Sequence, residues 1–374
     1  MFKLSIQQPS LAHYRVSLYE ALKDYYDITI YYGVNDIVSV LPKGVSTKYS
    51  RLYSRKLFGF TFKWHNAQLL AVNKKSDVVI LSWDVQYFTL WLAIIKSKFY
   101  RKPVILWGHG FSKNEHPFKW KIRLIPTYFC KAIILYDFQT AEAYKGIKSV
   151  AHKVFVAPNS LDQIPIQRAR QIWNGDSTRL VDFRQKHGID STFNLIYIGR
   201  IYKENKLEIL LKAVRLAVKE IAKLRLIVIG DGKEYFQEVI ELARSYGIQN
   251  NILWVGPLYK EEEIAPWMMS SHIFCYPSNI GLSIMHAFGY GLPVVTDNAL
   301  NEHNPEIWSL EDGFNGLLYE KDSPVDLVDK VLALYKNSDE HKRLSGNAFS
   351  TVLNKYNMKN MTEGFKNAIE YSAS

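Results

Sequence analysis

The sequence predicts an α/β protein built from two doubly wound units that face each other across a cleft. Apolar stretches of strand length alternate with amphipathic stretches of helix length along most of the 374 residues, which is typical of parallel sheets covered by helices. The alternation stops once, in the polar, turn-rich residues 158–177, and then begins again. We therefore expect one domain at 1–163, a second from 164 onward, and ligands at the carboxyl edges of the two sheets.

The first half alternates as expected of such a unit. Its predicted strands are Phe2–Gln8, Asp27–Gly33, Asp77–Trp83, Pro103–Gly108, Ala132–Tyr136 and Lys153–Ala157. Amphipathic helices are predicted at Tyr14–Tyr25, Thr61–Lys75, Gln86–Lys98, Phe118–Cys130 and Phe138–Gly146.

The second half repeats the pattern after a helix near Thr178–His187. Its predicted strands are Phe193–Ile198, Arg225–Ile229, Ile252–Val255, Ile273–Tyr276, Pro293–Thr296 and Gly316–Leu318. The predicted helices are Leu207–Ala222, Glu234–Tyr246, Glu261–Met269, Gly281–Tyr290, Val325–Lys336, Asp339–Lys355 and Met358–Tyr371. Glu261, Glu262 and Glu263 are interpreted as an exposed helix start, where the helix dipole favours acidic residues.

Positive charge is concentrated in the first half. Residues 1–162 contain 23 Lys and Arg against 10 Asp and Glu, whereas residues 163–374 contain 24 and 26. A basic surface suits nucleic acid, an anionic membrane or an acidic substrate, and the chain has no nucleic-acid recognition motif. Two segments that mix basic and aromatic residues, Arg51–Trp64 and Lys113–Lys131, favour peripheral contact with an anionic bilayer, although a packed core with a solvated face explains them equally well.

Compartment is predicted from what the chain contains. No apolar run approaches the roughly 20 residues of a spanning helix, and the N-terminus has no signal-peptide layout. Cys130 and Cys275 lie in apolar surroundings and are expected to be buried, reduced thiols. We expect a cytoplasmic protein that works at the inner face of the membrane.

The segment from Tyr276 to Val295 is the strongest candidate for a ligand site. A strand ends at Pro277-Ser278-Asn279, and a helix is predicted to begin at Gly281, so that backbone N–H groups of Ile280, Leu282 and Ser283 face the carboxyl edge of the sheet. Such a helix start suits an anion, in particular a diphosphate. An ordinary strand–helix–strand connection is the alternative interpretation.

Two other loops follow strands of the second half. Gly199 and Arg200 end one strand, and Lys206 lies shortly after them; Arg200 and Lys206 could both reach phosphates. Gly230-Asp231-Gly232 follows another strand, and this lone pair of glycines is more readily explained as a tight turn than as a phosphate loop.

Polar residues that follow strands of the first half are predicted to face a ligand, and those of the first strand-to-helix loop could meet an acceptor. His109 lies between two glycines at a strand end and could donate a hydrogen bond to a sugar hydroxyl or a developing charge. Gln8, His13 and Arg15 lie in and after the first strand-to-helix loop. We find no residues spaced to bind a metal ion.

Together these residues resemble family-4 retaining glycosyltransferases of the GT-B fold, over essentially the whole chain. The second half carries the more specific match, and the matching residues in chain order are His109, Ala157–Asp162, Gly199-Arg200, Lys206, Gly230-Asp231-Gly232, Trp254-Val255-Gly256, Pro277-Ser278, Gly281-Leu282, Ala287, Gly291–Val295, Pro305-Glu306-Ile307 and Asp312–Leu318.

The resemblance implies two Rossmann-like domains with the last helix, about 357–374, returning to the N-terminal one, which leaves 164–356 as the donor domain. It also implies metal-independent transfer of a hexose from a nucleotide-diphosphate sugar with retained anomeric configuration. In this scheme Arg200 and Lys206 neutralise the diphosphate, Leu282 and Ser283 bind it through their N–H groups, and His109 contacts the donor sugar near the reaction centre.

Three departures from the family pattern concern the sugar and the acceptor. Ser278 and His286 stand where the family has a Glu-x7-Glu pair, as in a branch with His at the second position, and His286 is expected to bind the ribose. The family lysine aligns with Asn205, one position before Lys206. Gln8-Pro9-Ser10 and His13-Tyr14-Arg15 replace the glycine-rich loop of many family members, which suggests a different acceptor pocket.

The sequence thus predicts a glycosyltransferase of polysaccharide or glycolipid biosynthesis. The expected donor is a UDP-sugar or GDP-sugar and the expected acceptor is a saccharide or lipid-linked saccharide, with no cofactor and no nucleic acid. Two alternatives stay open: a nucleotide-sugar epimerase of the same fold, and a non-catalytic protein that binds sugar nucleotides.

Overall fold

The computed structural model describes residues 1–33, 40–57, 60–113 and 117–374. The predicted basic-aromatic segments include residues 58, 59 and 114–116, which lie outside this description. The chain divides into two compact units, Met1–Asn159 with Met358–Ser374, and Ser160–Asn357. This division falls slightly before the junction that the sequence placed after residue 163.

Strands and helices alternate in both units. The strands are β1 Lys3–Gln8, β2 Asp27–Tyr32, β3 Ser46–Tyr49, β4 Leu52–Leu57, β5 Phe60–His65, β6 Val78–Ser82, β7 Val104–Gly108, β8 Ala132–Leu135, β9 Val154–Val156, β10 Phe193–Ile198, β11 Leu224–Ile229, β12 Ile252–Gly256, β13 Ile273–Cys275, β14 Val294–Asp297 and β15 Gly316–Tyr319. The helices are α1 Val16–Leu22, α2 Asn66–Ala71, α3 Phe88–Tyr100, α4 Pro117–Phe129, α5 Phe138–Lys145, α6 Ile164–Asn174, α7 Ser177–His187, α8 Leu207–Ala217, α9 Lys233–Ser245, α10 Glu261–Met269, α11 Ser283–Gly289, α12 Pro324–Lys336, α13 Ser338–Asn354 and α14 Met358–Ala373. Within the described ranges, no helix combines the length and apolarity needed to cross a bilayer.

The first unit is a parallel sheet with the strand order β3-β2-β1-β6-β7-β8-β9. Val78 and Ile80 join the core on one face of the sheet, and Val79 joins the core on the other, because successive side chains of a strand point to opposite faces. Helix α14 covers the first face, where Phe365 packs edge-on against Trp107 with ring centroids 4.7 Å apart. The expected return of the last helix to the N-terminal domain is confirmed.

The second unit is a parallel sheet with the strand order β12-β11-β10-β13-β14-β15. Strand β10 lies between β11 and β13, so the loops that follow these three strands meet at one edge of the sheet. These loops carry Gly199-Arg200, Gly230-Asp231 and Pro277–Leu282, which are the segments that the sequence singled out.

The prediction of a helix over Thr61–Lys75 was wrong in its first part. Residues Phe60–His65 form β5, which pairs antiparallel with β4, and the helix is limited to Asn66–Ala71. The letters Phe-Thr-Phe-Lys-Trp alternate aromatic and polar residues with the period of a strand. The helical pattern that follows obscured this alternation.

A helix also lies inside the predicted linker 158–177. Helix α6 spans Ile164–Asn174, has a proline in its first turn, and buries Ile166, Ala169 and Trp173 on one face. Spacings of three and four residues place these side chains together, and proline is well tolerated at a helix start.

Candidate functional site

Because Gly230 and Gly232 have no side chain, the loops after β10 and β11 of the second unit can pack directly against each other. The N–H of Ile201 donates to the backbone oxygen of Asp231 over 2.9 Å. A Cβ atom added to Gly230 would lie 1.9 Å from the oxygen of Gly199, and one added to Gly232 would lie 2.0 Å from the oxygen of Ile201. Gly230-Asp231-Gly232 is therefore a closely packed turn, and the Asp231 carboxylate accepts from the N–H of Gly232 over 2.7 Å.

Asn205 connects the Arg200 loop to the loop after β13. Its Nδ2 donates to the backbone oxygen of Arg200 over 2.6 Å, and its Oδ1 accepts from Nδ2 of Asn279 over 2.9 Å. Asn279 has a left-handed backbone with φ of 58°, a conformation that asparagine adopts more readily than most residues. Asn205 was noted in the sequence only as an alignment position; the structure gives it a positioning role.

The loop after β13 is held from the opposite side by His303. The N–H of Ile280 donates to Nδ1 of His303 over 3.1 Å, so the ring proton lies on Nε2, which donates to Oδ1 of Asp297 over 2.9 Å. Burial raises the pKa of Asp297, but His303 and the neighbouring Ser278 hydroxyl outweigh it and keep that pKa below its ordinary value. Ser278 and Ile280 are buried, which leaves their side chains inside the protein.

Backbone N–H groups beyond this point are available to a ligand. Helix α11 begins at Ser283, later than the predicted start at Gly281. In the part of the chain that the structure describes, the N–H groups of Gly281, Leu282 and Ser283 have no hydrogen-bond acceptor. The helix is only one and a half to two turns long, so the loop N–H groups, more than a helix dipole, define this anion site.

Arg200 and Lys206 differ in how their charges are balanced. Arg200 is exposed, lies over the ring of Tyr202 at 5.2 Å, and has no carboxylate partner among the described residues. Lys206 has a left-handed backbone with φ of 52°, and its Nζ forms an ion pair with Asp322 at 2.6 Å. Arg200 can bind a phosphate without breaking an ion pair, whereas Lys206 must first break its ion pair with Asp322.

His286 on α11 contacts a glutamate of α10. Its Nε2 lies 2.9 Å from Oε1 of Glu261, and the Tyr290 hydroxyl donates to the same oxygen over 2.5 Å. The interpretation of Glu261 as an exposed residue was wrong, because α10 packs this residue against the end of α11. Burial raises the pKa of Glu261, but the hydrogen bonds from His286 and Tyr290 prevail and hold it below the ordinary value.

Glu261→Gln is expected to lower the free energy of unfolding by about 1–2 kcal/mol at pH 7, since it weakens two hydrogen bonds to a charged group. A carboxyl whose pKa is lower in the folded state stabilises the fold above its unfolded pKa, and this contribution is lost as the pH falls through the folded pKa. Denaturant unfolding should therefore show a difference between wild type and variant that shrinks below about pH 4. A difference that stays constant from pH 7 to pH 3 would contradict the hydrogen bonds that His286 and Tyr290 form with the Glu261 carboxylate.

The first unit contains a cavity of about 330 Å³. It gathers the predicted residues Gln8, Arg15 and His109, while the exposed His13 does not line it. The remaining wall consists of Pro9, Ser10, Ala12 and Tyr14 of the same predicted loop, and of Lys63, Ser82, Trp83, Asp84, Tyr87, Trp107, Gly108 and Tyr136. Lys63 comes from β5, which the sequence analysis took for the start of a helix.

His109 is uncharged at neutral pH. The residue is exposed, yet desolvation by the surrounding protein lowers its pKa to about 4, and the nearby charges of Arg15, Arg123 and Lys113 lower it in the same direction. Its ring lies 4.7 Å from that of Tyr136. A neutral imidazole can donate one hydrogen bond and accept another, which fits contact with a sugar hydroxyl.

Residues 192–337 match the family described as Glycosyl transferases group 1. The chain is 27% identical over 309 residues to the uncharacterized glycosyltransferase MJ1069 of Methanocaldococcus jannaschii, covering 79% of this chain and 76% of the relative. It is 25% identical over 266 residues to poly(glycerol-phosphate) alpha-glucosyltransferase of Bacillus subtilis, covering 70% of this chain and 36% of that protein.

Among solved structures, Anabaena Alr3699/HepE in complex with UDP has a TM-score of 0.75 at 15% identity, with 99% of this chain and 100% of that chain covered. The same protein in complex with UDP-glucose gives a TM-score of 0.71. A glycosyltransferase of Rickettsia africae gives 0.74 at 16% identity, with 99% and 97% covered. These similarities confirm the GT-B fold class, and the match to the family described as Glycosyl transferases group 1 covers the residues that hold the Arg200, Gly230 and Asn279 loops.

Proposed function

We propose that this protein is a retaining glycosyltransferase that moves a hexose from a UDP-sugar or GDP-sugar to a saccharide or lipid-linked saccharide, in polysaccharide or glycolipid biosynthesis. The second unit binds the donor and the first unit binds the acceptor. One observation carries the proposal. Arg200, an exposed cation without a carboxylate partner in the described chain, is tied through Asn205 to the loop after β13, in which the N–H groups of residues 281–283 have no acceptor among the described residues.

This arrangement suits the leaving group of a nucleotide sugar. The bond between the anomeric carbon and the diphosphate oxygen breaks, the acceptor oxygen bonds to that carbon, and the acceptor proton passes to the departing diphosphate. Arg200 and the N–H groups of Leu282 and Ser283 stabilise the charge that develops there, and Lys206 joins them once released from Asp322. A solved neighbour in complex with UDP-glucose supports a UDP-hexose as donor.

A donor panel tests the proposal. UDP-, GDP- and ADP-sugars are compared by thermal shift, and a donor at 100 times its dissociation constant should add about 2.7 kcal/mol of stability. The stabilising donor is then incubated with and without acceptor extracts, and the products are analysed by NMR. A product with the donor's anomeric configuration is expected. An epimer formed from donor alone would favour the epimerase, and donor binding without any transfer would favour the non-catalytic alternative.

We further propose that the first unit rests on an anionic membrane through the outer sides of α3 and α4. This α3–α4 face has exposed apolar side chains at Phe88, Ile95, Phe99, Ile125, Tyr128 and Phe129. Lys98, Arg101, Lys102 and Lys131 line an adjoining cavity of about 680 Å³ together with Phe129. Apolar residues bordered by cations fit the interface of a bilayer with acidic headgroups. Helix α4 falls in a segment that the sequence singled out, whereas the contribution of α3 was missed.

Phe99→Ser is expected to weaken binding to phosphatidylglycerol vesicles about tenfold, because a phenyl ring loses its burial in the bilayer. Sedimentation with vesicles measures the bound fraction, and phosphatidylcholine vesicles should bind little wild-type protein. Tyr259→Ser is the matched control, since Tyr259 is 89% exposed on the second unit and Phe99 is 81% exposed on the first. Equal losses in both variants, or equal binding to both lipids, would argue against the α3–α4 face.

A further inference from the structure

The cavity of the first unit contains a buried arginine that has no acidic partner among the residues that the structure describes. Arg15 is 9% exposed, donates from Nη1 to Oε1 of Gln8 over 2.7 Å, and donates from Nη2 to the hydroxyl of Tyr136 over 2.7 Å. The guanidinium carbon lies 4.3 Å from the ring centre of Trp107. Among the described residues, none of these contacts supplies a negative charge.

Such a charge is unusual in a protein interior. Buried charges are normally paired, because removal from water costs several kcal/mol that neutral partners recover only in part. Burial opposes the charge of Arg15, yet the neighbouring tyrosines keep the pKa of the guanidinium above its ordinary value. The positive charge therefore persists in the cavity and is available to an anion.

The rest of the wall favours the same kind of ligand. Nε2 of Gln8 and the indole N–H groups of Trp83 and Trp107 are buried without acceptors among the described residues. The carboxylate of Asp84 is already engaged, since one oxygen binds Nζ of Lys63 at 2.9 Å and the other accepts from the N–H of Gln86. Among the described residues, Arg15 therefore gives the wall a positive charge that no carboxylate balances.

We propose that this cavity binds the acceptor through an anionic group, a phosphate or a carboxylate, held by Arg15. The statement that the bound sugar is the acceptor rests on the proposed transferase function. The statement that the cavity binds an anionic sugar does not rest on it. A guanidinium holds two oxygens of such a group at once, while the aromatic wall offers faces for a sugar ring. A volume of about 330 Å³ is that of a small ligand site and suits one ring with its charged group.

The proposal is tested by binding, without nucleotide and without turnover. α-D-Glucose 1-phosphate, D-glucuronate and D-glucose are titrated against the full chain, with quenching of tryptophan fluorescence and thermal shift as readouts. At least one anionic sugar should bind ten or more times tighter than glucose, and the stronger of the two identifies phosphate or carboxylate as the group. Equal affinity for all three sugars would overturn the proposal.

Variants separate the charge of Arg15 from its packing. Arg15→Gln should lose at least tenfold in affinity for the anionic sugar and keep its weak affinity for glucose, whereas Arg15→Lys should keep part of the preference. Arg51→Gln is the matched control, because Arg51 is exposed, lies 5.3 Å from the Tyr53 ring and does not line the cavity. If Arg15→Gln does not fold, the affinity of the wild-type protein for each sugar is measured in 50 and 500 mM NaCl instead. The proposal requires that the affinity for the anionic sugars falls at the higher salt concentration and that the affinity for glucose does not.

Failure of this inference can be told from failure of the transferase proposal. Arg200→Ala removes the proposed diphosphate contact in the other unit and should leave binding of the anionic sugar unchanged. If Arg200→Ala abolishes that binding, the sugar occupies the donor site and the anionic acceptor is overturned. If the donor panel finds no nucleotide sugar while Arg15 still selects the anionic sugar, the cavity assignment stands and the transferase proposal fails.

Discussion

Replacing Arg200 with alanine is expected to lower kcat/KM for sugar transfer at least 100-fold, which corresponds to about 3 kcal/mol of transition-state stabilisation. The loss is large because Arg200 is a charge without a carboxylate partner in the described chain, and Asn205 fixes its backbone beside the N–H groups of the loop after β13. Initial rates over a range of donor concentrations measure the effect. Most of it should appear in kcat, since negative charge on the diphosphate grows as the glycosidic bond breaks.

Arg215→Ala is the matched control for this experiment. Arg215 is also exposed and lies over a tyrosine ring, that of Tyr246 at 5.0 Å, but it belongs to α8 and not to the site. Arg200→Lys should recover part of the activity, because a lysine supplies the charge without the two-pronged geometry. Turnover of Arg200→Ala within threefold of wild type would contradict the assignment of the phosphate site.

Most of the fold could be predicted from sequence because the strands are apolar and buried on both faces. Strands such as Val78–Ser82 and Val104–Gly108 are fully buried, so their hydrophobic runs alone reveal a parallel sheet. The antiparallel pair β4–β5 escaped prediction because most of its described side chains outside 56–60 are exposed or half-buried, and a helix follows directly. Periodicity separates strand from helix poorly when one pattern continues into the other.

The parts of the site that were predicted are those whose chemistry is local. Gly199-Arg200 and the residues after β13 are contiguous segments, and each carries its signal in a few neighbouring letters. Asn205, His303 and Glu261 act through partners far along the chain: Asn279, Ile280 and His286. No local pattern marks such pairs, because a buried asparagine or histidine has the same neighbours in sequence whether or not it holds a functional loop.

The cavity of the first unit also depends on residues far apart in the chain, which sequence patterns do not bring together. Gln8, Arg15 and His109 were predicted individually from their position after strands, yet Lys63 and Asp84 were not. These two residues reach the cavity from β5 and from the loop after β6. That Arg15 has no acidic partner in the described part of the chain is a property of the packed structure, since acidic residues such as Glu20 and Asp24 lie close to it in sequence.

Gly230→Ala is expected to destabilise the second unit by about 4 kcal/mol or more, at the upper end of single substitutions. The added Cβ would lie 1.9 Å from the oxygen of Gly199 and 3.0 Å from its carbonyl carbon, both of which belong to backbone that cannot move aside without breaking β10–β11 contacts. The backbone φ of Gly230 is +153°, a conformation that side-chain-bearing residues rarely adopt. The steric collision and the backbone strain therefore both lower the free energy of unfolding, and their effects add.

The control for Gly230→Ala is Gly247→Ala. Gly247 also has a positive φ, of +70°, but an added Cβ would have no neighbour within 4 Å, so this variant should cost only the strain of about 1–2 kcal/mol. Denaturant unfolding of both variants separates collision from strain. Equal losses would show that the loops after β10 and β11 are not in contact at Gly199. If Gly230→Ala folds, it should also lose most of its donor binding, because the oxygen that the methyl group displaces belongs to the residue that precedes Arg200.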